Sequence, residues 1–217
     1  MSKNLVVRVG AFALILGACG GAEPDRSRTI EPKTETVKSD NQEAAPKNIE
    51  SALLTLEEMP FGWSVEPPSE ENNSSTDFCG KKLPSKSGEV DKANVSFAKG
   101  IGVPTLEHSV LRLKSGQGAL LMNRFLNLFE DCRSFKQDGQ TIEVQPLSFK
   151  QVGDESISAR FVATNELGLT AAGDMVLWSR DDLVTYVLYI SFSPSQVILD
   201  MFVDKADRKL VALLEGE

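Results

Sequence analysis

The sequence predicts an α+β fold: an antiparallel β-sheet with flanking helices, built as a single domain behind a disordered tether. Three observations predict it. Apolar and polar residues alternate in segments of strand length, and the linkers between the later segments are too short to hold a crossover helix, so neighbouring strands run antiparallel. Longer segments repeat their apolar residues every three or four positions, as helices do. Near residue 48 the composition changes from polar, mixed-charge sequence to sequence with enough apolar surface for a core.

The elements follow in order. NIESALLTLEEM, residues 48–59, places Ile49, Leu53 and Leu56 on one helical face, and PFGW after it predicts a sharp exit with buried aromatics. The run from Glu66 to about Lys92, rich in Pro, Ser, Asn and Gly, predicts a long loop. ANVSFAKG and HSVLRLKS alternate like half-buried strands. GQGALLMNRFLNLFEDCRSF is the clearest helix, with Leu121, Phe125, Leu128, Phe129 and Cys132 at helical spacing and Ser115 as its expected cap. TIEVQPLSF, SISARFVAT, AGDMVLWSR and LVTYVLYISFS read as four strands joined by GDE, NELGL and DD. Ser193 as cap, Pro194 in the first turn and Gln196 as capping-box partner predict a closing helix from Pro194 to about Leu214. The domain is therefore expected to span 49–217.

The first 18 residues read as an export signal. Lys3 and Arg8 supply positive charge, Val9 to Leu16 is a short apolar core, and small residues follow. At about 1.5 Å per helical residue, that core is too short to anchor stably across a hydrocarbon layer of about 30 Å. Leu16-Gly17-Ala18-Cys19 resembles the lipobox of bacterial lipoproteins. The resemblance implies that Cys19 receives lipid and becomes the mature first residue, so that acyl chains burying about 0.8 kcal/mol per methylene hold the protein on the extracytoplasmic face of the cell membrane. An ordinary secretory signal is the alternative. Residues 19–48 then carry the lipid and a spacer. From Gly20 to Asn48 there is hardly a large apolar residue, and such a segment cannot bury enough surface to offset its ordering entropy. Its mixed charges argue for a plain spacer over a docking tail.

Charge disfavours two kinds of partner. The chain carries −8, and removal of residues 1–18 leaves 21 basic against 31 acidic residues, or −10. Such a domain repels nucleic acid and anionic lipid headgroups, and no basic-plus-aromatic stripe offsets that repulsion. Cys79 and Cys132 belong to an exported domain, so they are expected to form a disulfide, with a free or metal-binding thiol pair as the alternative. No cofactor or metal is expected, because there is no CxxC and His108 is the only histidine. A hydrolase would need His108 as its base, but no G-x-S-x-G accompanies it, and a polar residue at a strand edge is expected instead. Lys114 to Ala119, KSGQGA, lacks the P-loop pattern and reads as a strand-to-helix turn. The acidic pairs Glu57-Glu58, Glu70-Glu71, Asp154-Glu155 and Asp181-Asp182 read as solvated turns rather than a glycosidase pair.

Across residues 52–214 the chain resembles the PknH-type extracellular sensor domains of actinobacterial receptor Ser/Thr kinases and stand-alone actinobacterial lipoproteins. The pieces that carry the resemblance are ALLTLEEMPFGW, Cys79, VSFAK, EDCRSF, PLSFKQVGDESISARFVAT and DMVLWSRDDLVTYVLYIS. It implies a sheet flanked by helices, with a cleft for a ligand and no catalytic residues to transfer. The expected function is a non-catalytic, ligand-binding domain of a membrane-anchored cell-envelope lipoprotein. The ligand classes are a small molecule, a lipid, a glycan or an envelope protein, and the groove is expected between sheet and helices. The alternatives are a structural lipoprotein docking a membrane protein partner, or a hydrolase using His108.

Overall fold

The structure, a computed structural model, describes residues 48–67, 77–79, 81–82, 88–100, 102–137, 140–165 and 168–216. Cys19, the predicted signal 1–18 and all of the predicted tether but residue 48 lie outside these residues, as do Glu70-Glu71.

Two short 3-10 turns, Ile49–Ala52 and Leu56–Glu58, open the domain where one helix was expected. They are followed by β1 (Ser64–Val65), β2 (Asp77–Phe78), β3 (Lys81–Lys82), β4 (Glu89–Ala98), β5 (Thr105–Leu113), α1 (Gln117–Asp131), β6 (Ser134–Gln137), β7 (Gln140–Pro146), β8 (Glu155–Thr164), β9 (Thr170–Arg180), β10 (Leu183–Ser191) and α2 (Gln196–Glu215). Eight strands form one sheet in the order β1-β4-β5-β10-β9-β8-β7-β6, and β2 pairs with β3 separately. Every pairing is antiparallel. After the β4–β5 hairpin the chain crosses through α1 to the far edge. It then returns strand by strand until β10 closes against β5.

Alternation along β10 shows how the helices are placed. Leu183, Val187 and Tyr189 join one apolar cluster with Leu199, Phe202 and Leu210 of α2. Val184, Tyr186, Leu188 and Ile190 join a second with Met122, Phe125 and Leu128 of α1. Since successive strand residues point to opposite faces, α2 covers one face of the sheet and α1 the other. These buried side chains pack between sheet and helix on both faces.

Several local expectations are corrected. In the first segment Ile49, Ala52 and Leu54 are buried, whereas Leu56 is exposed, because the backbone is extended at Leu53 and breaks helical periodicity. Phe61 is 99% exposed rather than buried. Gly62, at φ 90°, turns the chain so that Trp63 alone folds back, edge-on to Phe202 with ring centroids 5.8 Å apart. The predicted loop 66–92 contains the β2–β3 hairpin and the start of β4. The central helix stops at Asp131, and SFKQ beyond it forms the edge strand β6. Ser115 is not its cap: Gly116 occupies that position at φ 76°, and its N–H is taken by the Asp182 carboxylate at 2.8 Å. The closing helix begins at Gln196 with Ser195 in the cap position and no side-chain cap bond. Gln196 instead donates to the Ser148 carbonyl at 3.0 Å, so no capping box forms.

Candidate functional site

His108 lies in the middle of β5, fully buried, and not at a strand edge. Its ring reaches the α2 side of the sheet, where the Leu54 N–H donates to Nδ1 at 3.1 Å. Nδ1 is therefore an acceptor and the ring proton sits on Nε2, 3.1 Å from Thr185 Oγ1. Thr185 Oγ1 in turn donates to the Ser109 carbonyl at 2.7 Å. Both ring nitrogens are thus used, and the N-terminal segment is fastened to the sheet through Leu54. Burial lowers the imidazole pKa to about 3, and the positive charge of Lys209 on α2 acts in the same direction. A neutral histidine sealed among Leu54 and Thr185 cannot exchange protons with a substrate, so it is not placed to serve as a hydrolase base.

The opposite face of β5 carries a group that the sequence analysis did not single out. Glu107 accepts a hydrogen bond from the Tyr186 hydroxyl. Burial pushes the Glu107 carboxyl up to about 7, although the Tyr186 bond and the charge of Lys92 both act to lower it. Burial, followed by the adjacent carboxylate, raises Tyr186 well above its ordinary value. Glu107 and Tyr186 are 79 positions apart and meet only through β5–β10 pairing. The alternation of β5 was the available signal, since it puts Glu107 on the face opposite His108.

Cys79 and Cys132 form a disulfide with Cα atoms 5.9 Å apart, joining the β2–β3 hairpin to the end of α1. The bond lies beside an aromatic cluster in which Phe78 packs against Phe129, Phe135 and Phe161, with centroids 5.3, 5.1 and 6.1 Å away. These contacts and the Lys81–Asp131 ion pair at 2.6 Å seat the hairpin on α1.

The other sequence candidates are structural supports. KSGQGA is a strand-to-helix turn, and Gly118 passes so close to the β9–β10 turn that an added Cβ would lie 2.5 Å from the Asp181 carbonyl oxygen. Asp154 accepts from the Asp181 N–H at 2.8 Å, and Asp182 holds Gly116, so these carboxylates close turns rather than merely being solvated. Glu58 accepts from Thr55 N–H and Lys209, and its carbonyl accepts from Lys205. Arg160 grips the fully buried Asp174 with two bonds of 2.6 and 2.7 Å, holding β8 to β9. Among the described residues no three His, Cys, Asp or Glu side chains are grouped so as to hold a metal ion. No helix among them is long and apolar enough to cross a membrane.

The class this geometry defines is an α+β domain with an antiparallel eight-stranded sheet between helices on opposite faces. No family model matches the chain. No curated protein matches it either. Among solved structures, the extracellular domain of PknH from Mycobacterium tuberculosis is similar with a TM-score of 0.48 and 6% identity, over 60% of this chain and 67% of that one.

Proposed function

We propose that the chain is a cell-envelope lipoprotein, anchored through Cys19 on the extracytoplasmic face of the membrane, whose folded part is a non-catalytic, sensor-like binding module for an envelope ligand. The observation that carries the non-catalytic half is the sealing of His108, whose two ring nitrogens are spent on Leu54 and Thr185 inside the core. Without that imidazole the chain has no second histidine to act as a base near neutral pH. The anchoring half rests on Leu16-Gly17-Ala18-Cys19, and the Cys79–Cys132 bond supports it, since such bonds persist in oxidising spaces outside the cytoplasm. A groove between the sheet and its helices is the binding place this reading proposes. Ligand classes remain a small molecule, a lipid, a glycan or an envelope protein.

Mass spectrometry of the protein purified from its native membrane tests both halves. The expected result is a mature N-terminus at Cys19 carrying acyl chains, together with a small molecule that co-purifies at a fixed ratio. A Cys19→Ser variant that still fractionates as processed, membrane-bound protein would overturn the anchor. Turnover of an envelope substrate that disappears in His108→Gln while the fold persists would overturn the non-catalytic reading.

A further inference from the structure

The segment 48–63 enters the domain as a strap. Its two 3-10 turns are separated by extended backbone at Leu53, and among the described residues every backbone–backbone hydrogen bond it makes closes within the segment. Side chains hold it instead. Ile49, Ala52, Leu54 and Met59 are buried in the apolar cluster that also contains Phe97 of β4, Leu106 of β5, and Phe202 and Ala206 of α2. The first turn touches α2, β4 and β5 together, whereas α2 itself packs mainly on β9 and β10. The strap therefore fills a trough between α2 and the β4–β5 part of the sheet.

Charge is sorted along the rim of this trough. Lys209 Nζ lies 3.0 Å from the Glu58 carboxylate, and Lys205 Nζ donates to the Glu58 carbonyl. The acids of α2 are engaged elsewhere: Asp200 and Asp204 hold Lys150, Asp207 holds Arg180, and helical spacing puts these three on a different side of α2 from Lys205 and Lys209. On the sheet, register sets Asp91 opposite Arg112. The other acids, Glu50 and Glu57, belong to the strap and would leave with it, as Glu58 would.

We propose that the strap is a displaceable occupant of a ligand trough, and that the ligand which displaces it is a single-chain amphiphile with an anionic head. The hydrocarbon chain takes the place of Ile49, Leu54 and Met59, and a carboxylate or phosphate takes the place of the Glu58 carboxylate beside Lys209 and Lys205. The proposal rests on the groove-binding reading above and names its ligand class. A glycan needs polar partners along its length, yet the polar atom that lifting the strap uncovers inside is His108 Nδ1, where Leu54 N–H now donates. A peptide strand needs a free ladder edge, and β4 and β5 are paired with each other beneath the strap. Loss of the Leu54–His108 bond leaves a buried acceptor without its donor, which keeps the strap closed when no ligand is present. The acidity of the chain opposes a charged membrane surface, but screening confines the interactions of one head group to about 8–10 Å, where the two lysines stand.

The test uses the chain from residue 19 onward with Cys19→Ser, so that no anchor acyl chain competes and the outcome is independent of the anchor. The probes are dodecanoate, dodecyl phosphate and dodecanol at neutral pH, each below micelle-forming concentration. Both anions are expected to bind saturably and about tenfold more tightly than dodecanol, with hydrogen exchange of the strap amides, Leu54 included, accelerating as exchange in α2 slows. Tighter binding of the phosphate assigns the head to a phospholipid, tighter binding of dodecanoate assigns it to a fatty acid, and either supports the trough. In Lys205→Gln with Lys209→Gln, the preference for acid over alcohol should fall to within about twofold, a ratio that loosening of the strap alone does not move. Glu58→Gln should tighten dodecanoate about fivefold by raising the open fraction, whereas a purely structural strap would lose stability without gaining affinity. Saturable binding with strap exchange unchanged or slowed overturns the proposal, as does equal affinity for dodecanoate and dodecanol in the parent chain. If neither anion binds, the proposal falls, while a molecule co-purified from the native membrane that protects α2 and β5 would keep the binding module itself standing.

Discussion

Two adjacent residues of β5 face opposite sides of the sheet and titrate in opposite senses. The His108 imidazole drops from 6.5 to about 3 on folding, so between those values the unfolded chain binds a proton that the folded chain refuses. Its contribution is fully present above pH 6.5 and is lost as pH falls, at about 1.4 kcal/mol per pH unit. The Glu107 carboxyl rises from 4.5 to about 7, so its contribution is fully present below 4.5 and is lost as pH rises towards 7. From pH 4.5 to 6.5 the two slopes oppose each other. Urea unfolding across that window should show little net slope from this pair in the wild type. His108→Gln should make stability fall with rising pH by ~3 kcal/mol over the window, and Glu107→Gln should make it rise by a similar amount. The slope is the readout, so a constant loss of packing in either variant does not matter, and an unchanged slope in His108→Gln would refute the assignment. None of this was legible in the sequence around residue 108. The partners of His108 are 54 and 77 positions away, and only sheet register brings them together.

Elements were legible where periodicity is strong, and their ends were not. The five long strands from β5 to β10 other than the edge strand β6, and both helices, follow from alternation and three-to-four spacing within the segments themselves. Helix ends depend on groups that arrive from elsewhere. The start of α1 is closed by Asp182, and Gln196 of α2 reaches Ser148 instead of its own first turn. The strands β1, β2 and β3 have two residues each, too few to alternate, and they exist because β4 or the disulfide-bonded hairpin provides a partner. The Cys79–Cys132 bond has the largest effect at this scale, since it joins positions 53 apart and fixes the hairpin on α1. By loop-closure entropy it should contribute on the order of 4 kcal/mol. The double variant Cys79→Ala with Cys132→Ala is therefore expected to lose about that much in urea unfolding at fixed pH, with hydrogen exchange accelerating first around Phe78 and the end of α1. A loss below about 1 kcal/mol would mean that the phenylalanine cluster holds the hairpin without the bond.

At the scale of the whole molecule, antiparallel order and the α+β class were legible because short linkers leave no room for crossovers, whereas the placement of helices on opposite faces was not. That placement depends on the sheet order, in which β10 closes against β5 after the chain has travelled to the far edge and back. Its consequence is two cores separated by one sheet. Phe202 belongs to the core under α2 and Phe125 to the core under α1, yet β9 and β10 contribute side chains to both, with Val176 and Val187 on one side and Leu177 and Leu188 on the other. Neither core can be lost without stripping one face from the same two strands, so the domain should unfold as one cooperative unit despite having two apolar clusters. Phe202→Ala and Phe125→Ala should each cost about 3–5 kcal/mol. In both variants the loss of sheet signal and the loss of tryptophan signal should remain coincident. Trp178 is buried in the α2-side core, so it reports that side directly. If the α1-side core could melt alone, Phe125→Ala would produce an early transition in the sheet signal while Trp178 emission stayed native, and that biphasic curve would show that the shared strands do not couple the two faces.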